Sequence, residues 1–204
     1  MAGLIVLGLA AGLYSVQRWA LHNFHEVVPG QVYRSAQPGA EQVRQWTSKY
    51  GLRTIVNLRH DSWRAPFAQE KAAAEGLGVR FIQVPLANQS LPRRAAMARL
   101  IEVIETADRP MLLHCRAGAD RAGVGSVLAA MAIGGQDYAT ARRQLSARYL
   151  HFDPFPGHVG GVLARYERYC GGRGISTGGW QQFKDWALNV YRDDSQPAAG
   201  AASP

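Results

Sequence analysis

Residues 112–123 read LLHCRAGADRAG and gather the reactive side chains of this chain into one short stretch. A thiol, Cys115, follows His114 at the end of an apolar run, and Arg121 stands six positions further on, with Gly118 and Gly123 nearby. A strand that turns through glycine into a helix aims successive amide N–H groups into one concavity, and the helix start adds positive potential. Such a bowl takes an oxyanion. Arg121 can fork two N–H donors onto phosphate oxygens. Cys115 at the base is expected as a stabilised thiolate, aligned for in-line attack on a bound phosphoryl group. A lone cysteine after an apolar strand is ordinarily an inert buried residue; the histidine, the arginine spacing and the glycines argue against that here.

The flanking pattern places this stretch within alternating strands and helices. Residues 31–39 read as a short strand and a turn at Pro38-Gly39, and Ala40 to Tyr50 as a helix that Gly51 stops. RTIVNL (53–58) and VRFIQV (79–84) read as strands separated by a helix from Phe67 to Glu75. Ser90 is a candidate cap for a helix from Pro92 to Ala107, PMLLH (110–114) is a further strand, and an apolar helix runs from Ala122 to Ile133. Asp137 can cap a helix reaching Arg148, with further helices over 159–169 and 180–191. The expected fold is therefore α/β: a central, largely parallel sheet of four to five strands flanked by helices. Ligands in such sheets bind beyond the carboxyl ends of the strands, where Cys115 falls.

The chain has 204 residues, 47% of them hydrophobic and 19% charged, with a formal net charge of +8. That size suits one domain, expected over 25–192. The charge favours anionic ligands, and without a basic helix or an aromatic-basic stripe nucleic acid is not an expected partner. Two cysteines, Cys115 and Cys170, make no disulfide framework. Residues 2–16, AGLIVLGLAAGLYSV, carry no charge, so 1–24 is read as an apolar segment plus connector. It would anchor the protein at a membrane, or direct export if cleaved, with the membrane face left open. Residues 193–204 are read as a disordered tail.

The order His114-Cys115-Arg116-Ala117-Gly118-Ala119-Asp120-Arg121 resembles the signature of the cysteine-dependent phosphatases, the protein tyrosine and dual-specificity superfamily. VYRSAQP (32–38) and YGLRTIVNLR (50–59) precede it in the order of a bacterial, membrane-anchored branch. The resemblance implies a dual-specificity-phosphatase-like fold and hydrolysis of phosphomonoesters through a phosphocysteine on Cys115. It further implies phosphate binding by Arg121 and the amides of residues 116–121 (Arg116, Ala117, Gly118, Ala119, Asp120 and Arg121), with His114 holding the loop. No metal or organic cofactor is implied. The expected substrate is phosphotyrosine in proteins, with phosphoserine and phosphothreonine secondary. The alternatives are phosphoinositides or inositol phosphates, drawn by Arg59, Arg64 and Arg116, and a weakly active, phosphate-binding pseudophosphatase. A rhodanese-like sulfur transferase fits the arginine spacing poorly. His151, Asp153 and His158 lack the spacing of a metal site and read as loop residues.

Two departures bear on turnover. The loop PLANQSLP (85–92), where relatives carry an acidic residue, holds no carboxylate. Asp120 is then the first candidate acid, because repulsion from a phosphate dianion favours its protonated, donating form; Asp61 is the second. Ala122 follows the arginine where relatives commonly have a hydroxyl that steadies the departing thiolate. Ala122→Ser is expected to speed phosphoenzyme breakdown in a stopped-flow burst experiment, and an unchanged breakdown rate would refute that role for position 122.

Overall fold

A computed structural model describes residues 12, 15, 16, 21–60, 65–152 and 158–193. Almost all of the apolar stretch 2–16 lies outside them, as do Asp61, Arg64, Asp153 and the tail 194–204. Among the described residues, no helix is long and apolar enough to cross a membrane.

Five four-residue strands build the sheet: β1 (His25–Val28), β2 (Val32–Ser35), β3 (Thr54–Asn57), β4 (Arg80–Gln83) and β5 (Met111–His114), in the order β1-β2-β5-β3-β4. All neighbours are parallel except β1 with β2. The helices between them are α1 (Ala40–Tyr50), α2 (Ala65–Gly76), α3 (Arg94–Thr106) and α4 (Asp120–Ala132), followed by α5 (Tyr138–Ala141), α6 (Gly161–Gly171) and α7 (Trp180–Asp185). β5 lies in the middle, so the residue that leaves it emerges between strands on both sides. The register sets Ser35 and Asn57 level with His114, and Gln83 level with Asn57. Four polar side chains thus line up along one carboxyl edge.

Strand alternation divides the apolar residues between two layers. Tyr33, Ile55 and Leu112 pack with Val43 of α1 and Ala74 of α2 on one face. Val32, Val56, Ile82, Met111 and Leu113 face the larger core, built with α3, α4, α6 and α7. Helix α4 is buried on nearly every side, which is why its sequence shows an apolar run rather than a stripe.

Several elements differ from the sequence reading. The sequence reading places no strand before residue 31, yet β1 lies there and forms a hairpin with β2 across Pro29-Gly30; Gly30 has φ +65° and Gln31 N donates to Val28 O. Residues preceding it are also held: Phe24 packs between Trp46, Tyr33 and Tyr50. The helix expected from Asp137 to Arg148 starts as foreseen, with the Asp137 carboxylate accepting from Thr140 N. It then breaks into 3₁₀ turns over Arg142–Gln144 and Ala147–Tyr149, because Arg34 and Asn23 draw the Gln144 and Tyr149 carbonyls out of helical register. Ser90 caps nothing. Helix α3 begins at Arg94, whose amide donates to the Asp193 carboxylate at 2.7 Å, so Asp193 is tied to the domain rather than starting a loose tail. After α7 the chain makes one π-helical turn, Trp186–Val190, that lays Trp186 against Tyr166 and Tyr191.

Leu112 is wholly buried in the smaller layer. Leu112→Ala should cost about 2–5 kcal/mol in urea unfolding; a loss below about 1 kcal/mol would show that this layer can collapse around the vacancy.

Candidate active site

The loop from Cys115 to Ala119 leaves β5 and enters α4 at Asp120. Its carbonyls are pulled outward one after another. Gln37 N donates to Arg116 O at 3.4 Å, and Asn23 Nδ2 to Ala117 O at 3.0 Å. Arg34 Nη2 donates to Gly118 O at 2.7 Å and to Ala119 O at 3.1 Å. Across a trans peptide the carbonyl and the next N–H point in opposite directions. Drawing carbonyls 116–119 away therefore turns amides 117–120 toward the opposite side of the loop. Gly118 is required here: its φ is +71°, and a Cβ would stand 2.6 Å from the Ala36 nitrogen and the Ser35 carbonyl carbon.

Arg34 does this work while completely buried. Burial pushes its guanidinium pKa down to about 10, a shift that the neighbouring Cys115, Tyr149 and Asp120 side chains oppose. Its guanidinium lies 4.2 Å from the Tyr149 ring centre, and Nη1 donates to Gln144 O. The sequence reading missed Arg34 as a site residue. Its one sequence-level sign was a charge inside the otherwise apolar strand VYRS.

His114 is wholly buried, and its Nε2 lies 2.6 Å from Oε1 of Glu70, also wholly buried. The approach is close but lacks hydrogen-bond alignment. The other Glu70 oxygen accepts from Gln37 Nε2 at 2.6 Å and from Asn57 Nδ2 at 3.1 Å. Arg59 joins the same network: its Nη1 donates to Gln37 Oε1 at 2.8 Å, its amide to Asn57 Oδ1, and its carbonyl accepts from Gln83 Nε2. His114 is thus a partner of Glu70. Nothing in FAQEKAAAEG marks Glu70 as buried; only the docking of α2 onto the sheet reveals it.

A cavity of about 440 Å³ lies over the loop, lined by Arg59, His60, Arg116, Arg121 and residues 87–90. Among the described residues this wall carries no carboxylate and no phenyl, phenol or indole ring. Arg121 is 7% exposed, and its buried Nε has no hydrogen-bond partner among the described residues. Cys115 is 2% exposed, packs with the larger core and is not among the residues that line the cavity. Asp120 is not part of the cavity wall. Its Oδ1 is 2.8 Å from Nδ1 of His151, a residue read from sequence as a plain loop position. Cys170 is buried in the core, with Gln182 Nε2 3.7 Å from its sulfur. Among the described residues no cluster of three or more His, Cys, Asp or Glu could hold a metal ion.

The model of a family described as DSP-PTPase phosphatase fused to NAD+ kinase matches residues 17–149. No curated protein matches the chain. Among solved structures, TpbA of P. aeruginosa is similar at 20% identity with a TM-score of 0.53, over 78% of this chain and 88% of that one. A DUF442 protein of Shewanella putrefaciens CN-32 aligns at 20% identity and TM-score 0.52, over 69% of this chain and 90% of its own. Tk-PTP, solved as a G95A mutant, aligns at 20% identity and TM-score 0.51, covering 61% of this chain and 81% of that one. These structures share the fold: a mostly parallel five-stranded sheet flanked by helices.

The loop's supports respond to pH. Asn23, which holds Ala117 O, is itself contacted at Oδ1 by His25 Nε2 at 3.1 Å. Burial, then the charges of Arg34 and Arg148, lower the His25 pKa to about 4. The unfolded chain therefore takes up this proton first as pH falls, so stability is lost from about pH 6.5 down to 4 and no further below. The urea midpoint should fall across that window, and His25→Asn should remove part of the fall; an identical pH profile in the variant would exclude His25.

Proposed function

Since the chain belongs to the DSP-PTPase family, within the cysteine-dependent tyrosine and dual-specificity phosphatases, we propose that it hydrolyses phosphomonoesters through a phosphocysteine on Cys115. The observation that carries this reading is the run of outward-held carbonyls 116–119, which leaves inward amides beside an Arg121 whose Nε lacks a protein partner. The Cys115 sulfur attacks phosphorus as the ester P–O bond breaks, and the departing oxygen takes a proton from Asp120. Water then attacks phosphorus, the S–P bond breaks, and the water's proton returns to Asp120. Arg121 and the amides hold the three equatorial oxygens, where charge is carried in the transition state. His151 acts as a positioning residue that fixes the Asp120 carboxyl.

Of the substrate readings, the wall of Arg59, His60, Arg116 and Arg121, without a carboxylate among the described residues, favours a substrate with more than one negative charge, such as a phosphorylated inositol. Phosphotyrosine, the first expectation from sequence, is the second reading; TpbA has been crystallised in complex with pTyr. Arg59 supports the first. Its guanidinium reaches the cavity from a buried network that leaves its side chain little freedom.

Turnover of p-nitrophenyl phosphate and of an alkyl phosphate by the full chain separates the roles. Cys115→Ser should abolish both. Asp120→Asn should cost about 10²–10⁴-fold on the alkyl phosphate, and far less on p-nitrophenyl phosphate, whose leaving group departs without a proton. His151→Gln should reproduce a smaller version of that split with KM unchanged. If Asp61→Asn shows the split and Asp120→Asn does not, the acid is Asp61. A wild-type chain that binds phosphate and turns over neither substrate would be a binding module.

A further inference from the structure

The cationic cavity does not end at its own wall. His60, Ala87 and Ser90 also line a second, adjoining cavity of about 570 Å³. The remaining lining of this trough is chiefly aliphatic: Val84, Pro85 and Leu91 from the chain after β4, and Ala95 and Ala96 from the first turn of α3. Arg93 and Arg99, both exposed, add positive charge to it. The loop 85–92, which supplies no catalytic carboxylate, thus forms a shared wall between a polar and an apolar compartment.

We infer that bowl and trough form one bipartite cleft, and that the trough holds the aliphatic chain of a lipid-like phosphomonoester whose phosphate sits over Cys115. The inference rests on the phosphatase reading for the bowl and names the substrate class that the whole cleft fits. Three observations select a hydrocarbon chain. The trough adjoins the bowl, with His60, Ala87 and Ser90 lining both, so one ligand bound by its phosphate in the bowl can lay its chain in the trough. Its lining would remove alkyl surface from water, at about 0.8 kcal/mol per buried methylene. A peptide flanking a phosphotyrosine would need backbone partners, and the Val84 and Leu86 amides are already given to the Asn57 and Leu58 carbonyls. The net charge of +8 draws the protein toward acidic lipid surfaces.

The test uses butyl and octyl phosphate, both below micellar concentrations, with the full chain. Bound to the Cys115→Ser protein in calorimetry, octyl phosphate should be at least ~10-fold tighter than butyl phosphate, because four more methylenes enter the trough. The kcat/KM of the unsubstituted protein should show the same preference. Ala95 is exposed on the first turn of α3, so Ala95→Trp can fill the trough without disturbing the core. Ala95→Glu puts a charge there while suiting the helix N-terminus. Both variants should abolish the chain-length preference and leave p-nitrophenyl phosphate turnover within about twofold. Equal affinity for the two phosphates overturns the inference. So does a tyrosine phosphopeptide that binds more tightly than octyl phosphate and is the ligand the Ala95 variants weaken. Loss of p-nitrophenyl phosphate turnover in the unsubstituted protein would instead sink the phosphatase reading, while the calorimetry would still judge the trough.

Discussion

Everything at this site depends on where four carbonyl groups point. An anion can be held by main-chain amides only if the peptide dipoles beneath it are reversed together, and isolated loops have no reason to do so. Here residues 116–119 are turned by donors from three other parts of the chain: the Gln37 amide, the Asn23 side chain and the Arg34 guanidinium. Arg34 carries two of the four. A buried guanidinium is costly unless its donors are satisfied; burial depresses the pKa of Arg34, whose Nη1 and Nη2 are bonded while its Nε has no partner among the described residues. Hydrogen bonds made by a charged donor contribute about 1.5–3 kcal/mol each, which offsets that cost and makes the loop conformation hard to leave.

The same economy of position runs along the sheet edge. Because Ser35 and Asn57 are level with His114 and β5 is central, the chain that follows each strand arrives around one point. Glu70 is lowered onto this edge by α2 and ties Gln37, Asn57 and His114 to a single carboxylate. A buried network of this kind is rigid while complete, and it exposes an unpaired charge to a poor dielectric when one member is lost. Its outer member, Arg59, is the one that reaches the cavity. The charge facing a ligand is therefore set by packing inside the domain.

Neighbouring side chains at the start of α4 face different surroundings. Arg116 and Arg121 face the cavity, whereas Asp120, between them and the 3₁₀ turns, is engaged by His151. This contact ties the segment after α5 to the start of α4. It also explains why the segment 142–151 cannot be a plain helix: its carbonyls and His151 serve residues far away in sequence.

The sequence by itself determined the signature, the alternation of strands and helices and hence the largely parallel sheet, because spacing, apolar period and glycine stops are local properties. It singled out Cys115, Arg121 and Gly118 for the same reason. It missed β1, a four-residue strand that exists only as the hairpin partner of β2, although β-branched residues flank Pro29-Gly30. Only the tertiary structure decided that Arg34 and Asn23 shape the loop, that Glu70 meets His114, that Asp193 caps α3 from 99 residues away and that His151 meets Asp120. Each of these is a contact between distant segments made where water has been excluded, and an isolated stretch of sequence carries no record of which polar side chain will meet which once burial leaves it no other partner.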